Sequence, residues 1–283
     1  MSKQTFKKIY LVVMHLFAIA GFFLIVGYFA VKYGFTNTAG IIDTQTENFY
    51  YNTIPEKTPT IKNSNYTKPN WTQTEEWETF AVAISKDKDL LQTIQFETGI
   101  STRLLMSITA VEQIRLFTSD REFFKQVFYP LKIMGNMSQF SLGIMGIKPE
   151  TATLIEQHLE EETSPFYLGT EWKNVLAYPS STIDFNQARY TRLTDPKNRY
   201  YNFLYGALYL KQFITQWQRA GINIVDRPEI LGTLYNIGFT NSKPKTDPQV
   251  GGAKIDIGED SFSFGGLVYQ IYFSEELIEE FPR

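Results

Sequence analysis

The feature that most constrains this chain is an apolar run from Ile9 to Val31, broken only by His15, with Lys3, Lys7 and Lys8 before it and Lys32 after it. At about 1.5 Å per residue the run reaches roughly 34 Å as a helix, enough to cross a bilayer core of about 30 Å. A secretory signal peptide has a shorter apolar region, about 7 to 15 residues, and ends in a small-x-small cleavage site. Tyr28-Phe29-Ala30-Val31-Lys32 offers no such site. The expectation is an uncleaved, single-pass transmembrane helix through residues 9–31. Lysines are concentrated before the run, so the positive-inside bias puts the N-terminus in the cytoplasm and everything after Lys32 outside it, on the periplasmic or cell-wall side.

What remains divides in two. Residues 36–70 are rich in Thr, Asn, Lys and Pro, as in Thr58-Pro59-Thr60-Ile61-Lys62-Asn63-Ser64-Asn65, and carry no sustained periodicity. They read as a flexible linker whose root-mean-square span would be about 30 to 35 Å. From Trp71 the composition turns aromatic and apolar at helical spacing: Trp77, Phe80, Val82 and Ile84, then Leu90, Leu91, Ile94 and Phe96. Residues 71–283 are long enough to bury one sizeable core. The expected organisation is therefore a cytoplasmic tip and anchor over 1–35, a linker over 36–70, and a single domain over 71–283.

Within that domain, helices are expected over Ser101 to Phe117 and over Thr151 to Glu161, the second behind Pro149 and the acidic Glu150. A long helix is expected over Asn198 to Arg219, and a short one over Pro228 to Tyr235, ending near Gly238 as its C-cap. Lys254 to Phe264 alternates about Gly258-Glu259-Asp260 as a small β-hairpin. Leu267 to Phe281 returns to helix, closed by Pro282, with Glu275, Glu276, Glu279 and Glu280 as its solvated face. The fold class is mainly α with a small hairpin.

Composition excludes several functions. The chain has no cysteine and two histidines. A disulfide framework and thiolate metal sites are therefore out, and His15 in the anchor and His158 alone cannot build a multi-histidine zinc site. No loop has the D-x-[DN]-x-[DN]-G spacing of a calcium site. No cofactor and no metal are expected. The formal charge of −3 becomes about −7 once the four anchor lysines are set aside, which argues against a nucleic-acid partner, normally met by a basic patch. A neutral glycan remains compatible.

One charged residue stands where a core residue is expected. In the run Leu104 to Arg115, Leu105, Ile108 and Glu112 fall at i, i+3 and i+7, so the carboxylate lies on or beside the core-facing stripe. Two readings stay open. Glu112 is an edge residue that reaches water and pairs with Arg115 three positions on, or it is a desolvated carboxylic acid held for proton transfer.

Three segments follow in order: Gly143-Ile144-Met145-Gly146-Ile147-Lys148-Pro149-Glu150-Thr151-Ala152, Asn202-Phe203-Leu204-Tyr205-Gly206-Ala207-Leu208-Tyr209-Leu210, and Leu234-Tyr235-Asn236-Ile237-Gly238. Together with the Glu112 helix they resemble the lytic transglycosylases of the goose-type lysozyme-like superfamily. There a helix bearing the catalytic Glu is followed by G-L-M-Q-x-x-P-x-T-A, N-x-x-x-G-x-x-Y-L and A-Y-N-A-G. The resemblance covers residues 100–240. It implies a lysozyme-like domain, peptidoglycan as substrate, and cleavage of the MurNAc-GlcNAc β-1,4 linkage by Glu112 as acid and then base, leaving 1,6-anhydromuramoyl ends.

By position in these motifs, Tyr235 and Asn236 would line the cleft and Met145 would contact sugar faces. Ser138 and Ser141, with Gln139, sit in the loop where the family has its own Ser and Gly, and would meet an N-acetyl group. Asn202, Gly206 and Tyr209 read as structural, and His158 as a surface helix residue. Asp120, Glu122 and Asp184 are candidates for a second carboxylate. The chain departs from the pattern at Gly146, which replaces the motif Gln, and at Gln113, which replaces the Ser after the acid. An insertion around Phe117 to Met137 doubles the usual distance from Glu112 to Gly143. Two rivals remain: a hydrolytic lysozyme on the same scaffold, and a non-catalytic cell-wall-binding or scaffolding protein of an envelope complex.

Overall fold

A computed structural model of the chain describes residues 3–32, 40–42, 69–118 and 142–283. The first helix, α1 (Lys3–Lys32), runs unbroken for 30 residues, about 45 Å at 1.5 Å per residue. Its described side chains include the exposed Leu11, Val12, Leu16, Phe17, Ile19, Phe22, Phe23 and Ile25. The ring of His15 lies 2.6 Å from the Leu11 carbonyl, so the one polar side chain of the run bonds back to its own helix. Among the described residues no helix is both long and apolar enough to cross a membrane. The apolar run of the sequence also passes through Ile9, Ala20, Tyr28, Ala30 and Val31, whose side chains lie outside the described set.

The domain is mainly helical. After a 3-10 turn at Asn70–Gln73 come α2 (Glu75–Ser85), α3 (Lys88–Thr98) and α4 (Thr102–Thr118). Then follow α5 (Pro149–Glu160), α6 (Phe185–Thr194), α7 (Tyr200–Arg219), α8 (Pro228–Ile237) and α9 (Phe264–Phe273). Capping residues set several boundaries. Thr74 accepts from the Trp77 amide at 3.2 Å to start α2, Pro149 and Pro228 open α5 and α8, and left-handed Gly99 stops α3.

A small antiparallel sheet has the order β1 (Gly40–Ile42), β2 (Gly251–Ile257), β3 (Asp260–Ser263), with Ile41 opposite Gly252 and Ile255 opposite Phe262. β1 falls in the stretch read as linker. The remainder of that stretch, up to residue 68, lies outside the described residues.

α4 is the centre of the domain. Every residue from Thr102 to Glu112 is buried, so the helix has no solvent face there and the single core stripe expected from the sequence becomes burial all round. Two of its hydroxyls are satisfied within the helix: Ser107 donates to the Arg103 carbonyl at 2.8 Å and Thr109 to that of Leu105 at 2.7 Å. α2, α3, α7 and α9 pack around it, and α8 packs on α7 and α9.

The expected helix over Leu267 to Phe281 is corrected to Phe264–Phe273. Ser274 is extended at φ −69°, ψ 165°, and Leu277 has φ 55°, which an α-helix does not tolerate. Buried Arg103 explains the break. Its guanidinium donates to the carbonyls of Ile271 (2.7 Å), Tyr272 (2.9 Å), Ser274 (2.7 Å) and Glu276 (2.6 Å), gathering the end of α9 and the tail behind it. Burial first, and the charge of Arg283 second, push the Arg103 guanidinium down to about 10. The acidic tail is thus a run of turns and not a helix face.

Candidate active site

Four segments that are far apart in sequence meet at one turn. Leu142 and Ile147 exchange backbone hydrogen bonds at 2.7 and 3.1 Å, closing Gly143-Ile144-Met145-Gly146 into a tight loop. Both glycines are left-handed, at φ 66° and 63°, which side chains of other residues resist. Three side chains clamp the loop's backbone. Gln113 of α4 donates to the Ile144 carbonyl at 2.8 Å, Asn202 of α7 accepts from the Met145 amide at 2.8 Å, and Tyr235 of α8 donates to the Met145 carbonyl at 2.7 Å. Asn202 also donates to the Leu193 carbonyl at 2.9 Å, tying the turn to the end of α6. Below the loop, the Met145 sulfur lies 2.8 Å from the Thr109 hydroxyl. A Cβ on Gly206 would lie 2.5 Å from Met145 Cε, so glycine there lets the Met145 side chain sit against α7.

Glu112 faces the same turn. It is 3 % exposed, and its Oε2 accepts from Arg115 Nη2 at 2.6 Å. A Cβ on Gly146 would lie 2.5 Å from that oxygen and 2.8 Å from the carboxyl carbon. The residue that replaces the motif Gln is therefore the one whose missing side chain makes room for the carboxylate. Of the edge reading, the pairing with Arg115 holds and the contact with water does not, since Glu112 is buried.

Tyr209 and Tyr235 lie near enough to Glu112 to feel its charge. The Tyr209 and Tyr235 ring centroids are 5.1 Å apart, and Tyr209 packs on Phe239 at 4.7 Å. Burial pushes the Tyr235 hydroxyl well above its ordinary range, with the charges of Glu112 and Tyr209 adding to it and Arg115 opposing. Burial likewise raises Tyr209; the Phe239 amide pulls it back and Glu112 raises it further. Neither phenol ionises near neutral pH, so the Tyr235 hydroxyl keeps the proton that it donates to the Met145 carbonyl.

The remaining sequence candidates separate. Tyr235, at 5 % exposure, and fully buried Met145 are built into the wall and floor of the turn. Asn236 is half-buried, and its side-chain oxygen accepts from the Ala253 amide of β2 at 2.8 Å. Ser138 and Ser141, with Gln139, Asp120 and Glu122, lie outside the described residues. Asp184 caps α6 by accepting from the Gln187 amide at 2.9 Å, a structural role.

His158 is corrected from surface to half-buried. It packs against Phe166 and Phe239 at 4.8 and 4.6 Å and bonds Ser164 at 2.9 Å, and burial lowers its basicity. Among the described residues no group of three His, Asp or Glu side chains gathers to hold a metal ion. The structural reading of Asn202 fits its clamp on the turn, while the clamping role of Gln113 is one that sequence reasoning missed.

No family model matches the chain, and no curated protein and no solved structure matches it.

Proposed function

We propose that the chain is a membrane-anchored peptidoglycan lytic transglycosylase with a lysozyme-like domain, in which Glu112 alone supplies the acid and the base. The observation that carries the reading is the convergence of Glu112, Gly143 to Gly146, Asn202, Gly206 and Tyr235 on one turn. These are the positions the sequence resemblance singles out, and nothing in their spacing along the chain requires them to meet. What supports the anchor is the sequence alone, the apolar run from Ile9 to Val31 with lysines on both sides.

In this reading the Glu112 carboxyl gives its proton to the leaving glycosidic oxygen as the anomeric bond breaks. The resulting carboxylate then takes the proton of the muramic C6 hydroxyl as that oxygen bonds the anomeric carbon. The carboxyl ends as it began, no water is consumed, and the product carries a 1,6-anhydro ring. A chemistry of this kind needs one carboxylate in a site closed to bulk water, which agrees with Glu112 being 3 % exposed.

Glycan binding without turnover is the second reading. The burial of Glu112 favours it, because a sugar reaches the carboxyl only when the side chains around it give way. Digestion of purified peptidoglycan by the full chain, comparing the parent with Glu112→Gln by mass spectrometry, separates the two. Anhydromuropeptides from the parent alone support the transglycosylase. Reducing ends point to a lysozyme. Binding of strands by both proteins with no product supports the second reading.

A further inference from the structure

We infer that Arg115 is a positioning residue: together with Gly146 it encloses Glu112 Oε2, so that Oε1 is the oxygen through which both proton transfers pass. The inference rests on the transglycosylase reading above and deepens it. Arg115 Nη2 lies 2.6 Å from Oε2 and sits one turn further along the same helix, so the pair is fixed by the backbone of α4. On the other side Gly146, itself pinned by the clamped turn, leaves less than a methyl group of space beside the same oxygen. Both partners are buried, at 11 % and 3 % side-chain exposure, so water does not replace either contact. An oxygen that accepts from a guanidinium in such a socket is not the one that carries a transferable proton. Glu112 thereby presents a single oxygen in a single orientation, and an error of about 1 Å in that position costs roughly a hundredfold in rate.

The test uses the full chain in detergent micelles and soluble, uncrosslinked glycan strands, with parent, Arg115→Ala and Arg115→Lys. For Arg115→Ala, kcat falls by about a hundredfold while KM stays within about threefold, because the lost function is orientation in the reacting complex. Added methylguanidinium restores at least about tenfold of that loss, whereas methylammonium at the same ionic strength does not, since an ammonium lacks the planar fork. If Arg115→Ala shows no cooperative melting, Arg115→Lys decides: a loss in kcat of about tenfold at unchanged KM supports the inference.

Full kcat in Arg115→Lys, equal rescue by methylammonium, or a loss confined to KM overturns it. A parent that cleaves while both variants cleave as fast overturns the inference and leaves the transglycosylase reading standing. A parent that cleaves nothing removes that reading, and the inference with it.

Discussion

Replacing Gly146 by alanine probes the site with a single methyl group. Two separate costs arise. The first is conformational: at φ 63° an L-residue loses roughly 1–2 kcal/mol relative to glycine. The second is steric: the new Cβ would stand 2.5 Å from Glu112 Oε2, and an ordinary contact begins at 3.4 Å, so the carboxylate must retreat by about 0.9 Å. That displacement strains the 2.6 Å ion pair with Arg115 in a buried setting, where losing a partner outright costs about 3–5 kcal/mol. Partial loosening sets the total at about 3 kcal/mol, with activity falling further than stability does.

Gly258→Ala is the control for the first cost, because Gly258 has φ 61° and open space around its Cα. Chemical denaturation of the purified full chain is the assay, reading both variants against the parent. Gly146→Ala is expected to lose at least about 1 kcal/mol more than Gly258→Ala, a loss that only the carboxylate contact explains. Equal losses in the two variants would refute the placement of Glu112 against the turn.

Three further outcomes follow from other parts of the fold. Arg103→Met removes four charge-assisted bonds to backbone carbonyls, of which those of Ile271, Tyr272 and Ser274 keep a second donor in Ser274 or Arg283, so the fold is destabilised by about 2 kcal/mol; a loss under about 1 kcal/mol in urea titration contradicts the role given to Arg103. Tyr235→Phe strands the Met145 carbonyl, costs about 1–2 kcal/mol and lowers turnover; unchanged melting and turnover would mean that the clamp on the turn is unimportant. Burial alone would push the Glu156 carboxyl up, but hydrogen bonds from Arg189, Tyr205 and Tyr178 outweigh it and hold it below the usual 4.5. A carboxyl lowered by folding contributes stability that is full above its unfolded value and lost as pH falls through the folded one, so Arg189→Met should flatten the stability profile below about pH 4.5; an identical acid slope in both proteins counts against the network.

Much of the domain was legible in the sequence. Pro149, Pro228 and Gly238 marked helix ends correctly because proline and glycine act through their own backbone limits, whatever surrounds them. Gly258-Glu259-Asp260 marked the hairpin for the same reason. The end of α9 was not legible: Leu267 to Phe281 has helical composition, and what stops the helix is Arg103, far earlier in the chain, drawing the carbonyls away. At the site, helical spacing put Glu112 on a core stripe but could not show that α4 is buried on all sides, since that depends on what packs against it. Gly146 read as a missing Gln; only the fold shows that its lack of a side chain is what admits the carboxylate.

The central claim is that Glu112 cuts glycan strands without consuming water. Digestion of peptidoglycan by the full chain in heavy-oxygen water, followed by mass spectrometry of the new ends, tests it most directly. The account predicts anhydromuramoyl ends free of label from the parent, and no new ends from Glu112→Gln. Labelled reducing ends from the parent, or ends that persist in Glu112→Gln, would contradict it.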